Sequence, residues 1–216
     1  IDLTLRFREA KTQLEQLQKN SLFKIDDWCN NYEKKIREKG GIGFFLGGIG
    51  PDGHIAFNTR GTDHFSSTRL TKTNFETQAI TAADLGGIEV SRNRLVITIG
   101  LGTLGNNKEN KAIIFAAGEA IADTIKDALE SKPKVTAPAT ALQKLKNGRF
   151  YLTDGAAVKL NDSVDYFYKN GEWSHKKTER AVMELCKKIN KFGSKLDLDD
   201  LKADKYCSII PGLNEN

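Results

Sequence analysis

The 216-residue sequence predicts an α/β domain built on a mainly parallel sheet. Three observations carry that expectation. Short apolar runs at Ile42–Leu46, Leu95–Ile99 and Lys111–Phe115 are each followed by a glycine-bearing turn, as in strands covered by helices on both faces. Around them lie longer segments whose apolar residues recur every three or four positions. The order helix, strand, loop, strand, turn, strand, helix, strand then favours parallel pairing through helical crossovers.

Taken in order, Phe7, Ala10, Leu14 and Leu17 form one stripe on a first helix, which Asn20 and Ser21 are expected to interrupt. A second helix is expected from Asp26, whose carboxylate can cap free amides, with Trp28, Tyr32 and Ile36 facing inward and Trp28 in the core. Gly40–Gly41 would close it. After the three apolar strands, residues 119–130 read as a helix with Ala120, Ile121, Ile125 and Leu129 on one side, and Arg149–Thr153 as a last strand. From about Asn161 the composition turns polar and aromatic. Tyr166, Phe167 and Tyr168 read as a packed strand or turn, and Thr178, Val182, Leu185, Cys186 and Ile189 as one more amphipathic helix. The charged tail from Ser194 is expected to pack only weakly. The expected organisation is a three-layer, Rossmann-like domain over residues 1–160 and a C-terminal extension over 161–216.

Composition narrows the function. With 39% hydrophobic and 28% charged residues, the chain has material for a sizeable core, which excludes disordered and disulfide-scaffold classes. The net charge of +5 is spread out, and its densest cluster, Lys176–Lys177 with Arg180, sits beside acidic neighbours; no nucleic-acid partner is expected. No apolar run approaches the roughly 18 residues that span a bilayer, so no membrane partner is expected either. Cys29, Cys186 and Cys207 are far apart and show no metal spacing, which fits reduced thiols in the cytoplasm and no metal or cofactor. The chain opens at Ile1 with no Met and no basic-apolar leader, so no signal peptide is expected and a longer parent polypeptide is.

The chemistry concentrates in Phe44-Phe-Leu-Gly-Gly-Ile-Gly-Pro-Asp-Gly-His-Ile-Ala-Phe-Asn58. A strand runs into Gly47, Gly48 and Gly50, which allow backbone amides to approach a phosphate or sugar hydroxyl closely. Asp52 and His54 follow, two residues apart, as an orienting carboxylate and a proton-transfer imidazole; a merely structural Asp-Gly-His turn is the alternative. The string from Gly47 to Asn58 closely resembles the signature of the glucosamine-6-phosphate deaminase (isomerase) family. The resemblance continues through Ser66–Leu70, Leu95–Ile99, Gly100–Leu104 and Leu142–Gln143, covering roughly residues 26–160. The related 6-phosphogluconolactonases share the Gly-x-Asp-Gly-His core but continue differently.

The resemblance implies a metal-free aldose–ketose isomerisation coupled to deamination. Glucosamine 6-phosphate and water would give fructose 6-phosphate and ammonia, with a phosphorylated amino sugar as partner and a homo-oligomer as assembly. His54 matches the histidine that assists ring opening and Asp52 the carboxylate that orients it. Gly47, Gly48, Gly50 and Asn58 are the candidate substrate contacts. Arg69 matches an arginine associated with effector phosphate, a surface ion pair being its alternative.

Three departures temper this. The family's Glu after Phe-Asn is Thr59 here, a hydroxyl that cannot supply a negative charge to an imidazolium. Two phosphate-binding cations fall at Ala83 and Ile121, for which Arg60 or Lys72 would have to substitute. The family's opening strand, phosphate loop and proton-transferring Asp would precede Ile1, leaving the sheet incomplete at its N-terminus. The alternatives are a sugar-phosphate-binding relative with impaired catalysis, or an enzyme acting on another phosphorylated sugar or a lactone.

Overall fold

The computed structural model describes residues 1–213. Helix α1 spans Gln13–Glu38 without a break and is capped by Thr12, whose side chain accepts from Glu15 N. The interruption expected at Asn20–Ser21 does not occur. Ser21 Oγ donates to Leu17 O, Gln16 Nε2 donates to Asn20 Oδ1, and the adjacent Leu22 is fully buried against Leu5 and Leu70. Tertiary packing here overrides two poor helix formers. Asp26 caps nothing and instead binds the Arg6 guanidinium at 2.6 and 2.7 Å. The inward face of α1 is Leu22, Cys29 and Glu33, whereas Trp28 is 54% exposed and stacks on exposed Tyr32. Trp28 is thus a surface residue, not core. Glu33 is buried and accepts from Thr68 N (2.7 Å) and Thr103 Oγ1 (2.5 Å), tying α1 to two segments distant in sequence. Gly40 and Gly41, both at positive φ, end the helix as expected.

Strand β1 (Phe44–Gly48) leads to β2 (Arg69–Lys72), α2 (Phe75–Leu85), α3 (Ile88–Arg92), β3 (Leu95–Thr98), α4 (Leu101–Asn106), β4 (Lys111–Ala116), α5 (Ala122–Glu130), β5 (Arg149–Leu152) and α6 (Asp154–Ala157). A three-stranded parallel sheet has the order β1-β4-β5, with Phe44 opposite Lys111 and Ile113 opposite Arg149. The run at Leu95–Ile99 does not join it. β3 pairs antiparallel with β2, Arg69 opposite Thr98, in a separate two-stranded sheet. An apolar run fixes that a segment is a strand, but its partner is a long-range choice.

Burial on both faces, expected for β1 and β4, is found on one. Ala112, Ile114 and Ala116 are buried, while Phe44, Leu46, Phe115 and Tyr151 on the opposite face are exposed. Leu101 and Leu104 of α4 and Ile125 of α5 are likewise fully buried. Residues 119–130 divide into a 3₁₀ turn and α5, whose buried face is Ala122, Ile125 and Ala128.

The chain forms two compact units, Ile1–Val158 and a second beginning at Lys159. In the second, α7 (Asn161–Lys169) replaces the expected strand or turn at Tyr166–Tyr168, α8 spans His175–Ile189 from a Ser174 cap, and α9 spans Leu198–Ala203. Fully buried Tyr168 packs with Ala181, Leu185 and Cys207. The tail is therefore part of this core: Cys207 is fully buried, and Asp197 and Asp200 form a capping box at α9.

Candidate active site

β1 delivers the chain at its carboxyl end into the turn Gly50–His54, the side on which open α/β sheets bind ligands. The turn is closed from within, since Gly53 N donates to Gly50 O and Gly50 N donates to His54 O. It is also held from outside: Thr124 Oγ1 of α5 donates to Pro51 O at 2.7 Å, and Ala139 N donates to Gly53 O. Asp52 Oδ1 lies 2.5 Å from His54 Nδ1 and also accepts from the His54 amide at 3.4 Å. Burial pushes the Asp52 carboxyl up, but bonding to His54 and its Coulombic attraction prevail, holding it below the usual carboxylate range. Because Nδ1 faces the carboxylate, Nε2 is the ring nitrogen left for substrate.

The imidazole lies directly over Gly50. A methyl group there would fall 2.6 Å from Nε2 and still closer to Cε1 and Nδ1. Glycine at this position is therefore demanded by the histidine. His54 borders an open cleft of about 590 Å³ lined by Phe45, Gly47, Gly48, Gly50, Ala56, Phe57, Thr77 and Ile80, among others. Ala56 holds a left-handed φ of 52°, an uncommon conformation for a side-chain-bearing residue and of the kind found at ligand sites.

Not all candidates meet at the cleft. Gly47, Gly48, Gly50 and His54 line it, and Asp52 stands behind His54. Asn58 is fully buried and spends its side chain on structure: Nδ2 donates to Ile55 O and Ile99 O, and Oδ1 accepts from Arg69 Nη1 at 2.9 Å. Arg69 also donates to Ser67 O and Thr62 Oγ1, and burial lowers its pKa. Asn58 and Arg69 thus brace the loop beneath the site from β2. Thr59 is absent from the cleft lining, and Arg60, Lys72 and Ala83 are exposed. Among the described residues, no Lys or Arg lines the cleft. The contribution of α2, through Asn74, Thr77 and Ile80, was not anticipated from sequence; the capping pattern Asn74-Phe-Glu-Thr77 is the signal that marks its start. Among the described residues, no group of three or more His, Cys, Asp and Glu could hold a metal ion, and no helix is long and apolar enough to cross a membrane.

Fold and turn together define a Rossmann-like α/β protein with a carboxylate–imidazole pair at the carboxyl end of a parallel strand. No protein-family model matches the chain. It is 34% identical over 140 residues to a glucosamine-6-phosphate deaminase of Caenorhabditis elegans, covering 64% of this chain and 52% of that protein. With the glucosamine-6-phosphate deaminase of Shewanella woodyi it shares 37% over 152 residues (69% and 54%), and with glucosamine-6-phosphate deaminase 2 of Xenopus laevis 35% over 159 residues (74% and 57%). A solved monomeric glucosamine-6-phosphate deaminase of the NagB superfamily superposes with a TM-score of 0.55 at 27% identity, covering 61% of this chain and 54% of that one. By sequence and by fold, the chain is a relative of the glucosamine-6-phosphate deaminases. It spans about half the length of the curated relatives it matches.

Proposed function

We propose that the protein carrying this chain is a glucosamine-6-phosphate deaminase, converting glucosamine 6-phosphate and water to fructose 6-phosphate and ammonia in amino-sugar catabolism. The observation that carries the reading is the Asp52–His54 pair, 2.5 Å apart, on a glycine turn at the mouth of the cleft. Asp52 holds the imidazole so that Nε2 faces the sugar. From there His54 gives a proton to the ring oxygen and accepts one from the anomeric hydroxyl, which opens the ring before isomerisation. An imidazole suits this exchange because it titrates near neutrality in water. The Gly47, Gly48 and Gly50 backbone lets substrate approach closely, and Asn58 and Arg69 brace the loop rather than touch the sugar.

Incubation of the intact protein with glucosamine 6-phosphate should release ammonia and fructose 6-phosphate in equal amounts. Absence of both at millimolar substrate would overturn the reading. The lack of Lys or Arg in the cleft lining favours a second one, a sugar-phosphate-binding relative with impaired catalysis. Under it, Thr59→Glu raises a low activity; strong activity of the unaltered protein would end it. The free thiols of Cys29, Cys186 and Cys207 support a reducing, cytoplasmic setting. The exposed Phe44, Leu46, Phe115 and Tyr151 support self-association, although the matched solved deaminase is monomeric; light scattering on the intact protein distinguishes the two.

A further inference from the structure

We infer that Asn74 is a positioning residue for the Asp52–His54 pair, linking the N-terminus of α2 to the catalytic turn. The two halves of its amide serve different purposes. Oδ1 accepts from Thr77 N at 3.0 Å and caps α2, with the Asn74 backbone in the extended conformation that capping requires. Nδ2 is buried and makes no hydrogen bond within ordinary limits. Buried donors are almost always paired, so a free one invites a partner close by. The acceptor inferred for it is the Asp52 carboxylate. Both bonds from His54 fall on Asp52 Oδ1, which leaves Oδ2 for the amide. After burial, the His54 bond and the His54 charge, the Asn74 side chain is the next influence on the Asp52 carboxyl, and it favours the ionised form.

α2 is well placed for such a role, since Thr77 and Ile80 line the same cleft as His54. A bond from Nδ2 to Asp52 would fix the rotation of the carboxylate. The imidazole held by Asp52 Oδ1 would be fixed with it. Asp52 is the charged group against His54. The elements packed about the turn bring Thr124 from α5 and Asn74 and Thr77 from α2, while the one acid in the first turn of α2, Glu76, is exposed. The consequence for turnover rests on the deaminase reading, but the coupling does not.

The test is an NMR pH titration of the His54 ring in the intact protein, its signal identified by loss in His54→Ala. Asn74→Asp keeps an equally good cap and sets a second carboxylate against Asp52, so the His54 midpoint should rise by about one unit. Asn74→Ser also keeps the cap but removes the donor that shares the Asp52 charge, and a smaller rise is expected. It serves as the test should Asn74→Asp fail to fold. A midpoint unmoved in the folded variants would overturn the inference. A moved midpoint in a protein that releases no ammonia from glucosamine 6-phosphate would sustain the coupling and count against the deaminase reading alone.

Discussion

Gly50→Ala tests the placement of His54 while leaving every functional side chain in the protein. An added methyl would sit 2.6 Å from His54 Nε2 and nearer still to Cε1 and Nδ1, whereas ordinary contact begins at 3.4 Å. The ring must retreat by at least 0.8 Å at Nε2 and by more at the other two atoms. Such a shift breaks the 2.5 Å contact of Nδ1 with Asp52 and withdraws Nε2 from its place at the cleft. A misplacement of about 1 Å costs on the order of 100-fold in rate. The backbone has no matching reason to fail, because the nearest obstacles are all side-chain atoms of one residue. The assay is ammonia release from glucosamine 6-phosphate by the intact protein, paired with thermal unfolding. We expect kcat to fall by about 100-fold with the melting temperature nearly unchanged. Activity within a few-fold of the parent, in a protein of unaltered stability, would refute the placement of His54 over Gly50.

Asp52→Asn should lower kcat by about 100-fold or more, because an amide donating to Nδ1 would favour the tautomer with its proton on Nε2; parent-like turnover would remove Asp52 from the mechanism. Asp52 and Glu33 are both held below the usual carboxylate range, against burial that pushes them up, by His54 for Asp52 and by Thr103 and Thr68 for Glu33. Since their folded pKa values are depressed, the stability they contribute is full above about pH 5 and is lost as pH falls through about 4 and below. Urea midpoints measured across that range should therefore fall less steeply for Asp52→Asn and Glu33→Gln than for the parent. Arg69→Met leaves fully buried Asn58 Oδ1 without its donor and should cost about 1–3 kcal/mol in urea unfolding. Leu22→Ala, in the buried cluster with Leu5 and Leu70, should cost about 2–5 kcal/mol, whereas Trp28→Ala, on the exposed stack, should cost less than about 0.5 kcal/mol.

The parts of this protein that the sequence made legible are the local ones. The Gly50–His54 turn is set by residues at most four apart, so its glycines, its carboxylate and its imidazole could be read in one string. The end of α1 at Gly40–Gly41 likewise follows from neighbouring residues. What escaped depends on distant partners. Asn20 and Ser21 suggest a helix break until Leu22 is seen against Leu5 and Leu70. Arg69–Lys72 became a strand because Leu95–Thr98 lies beside it, an antiparallel pairing that neither run discloses alone. Asn58 read as a substrate contact because it stands in the motif, yet its bonds go to Ile55, Ile99 and Arg69 below the turn. Apolarity misled where it was taken for burial, as at Trp28, Phe44 and Leu46, all more than half exposed.

If the Asp52–His54 turn transfers protons on a phosphorylated amino sugar, turnover depends on the His54 imidazole. The most direct measurement compares the intact protein with its His54→Ala variant in stoichiometric release of ammonia and fructose 6-phosphate from glucosamine 6-phosphate. Clear release is expected from the parent, and a loss of about 100-fold or more in a variant of unchanged circular dichroism. Equal release by the two proteins would contradict it.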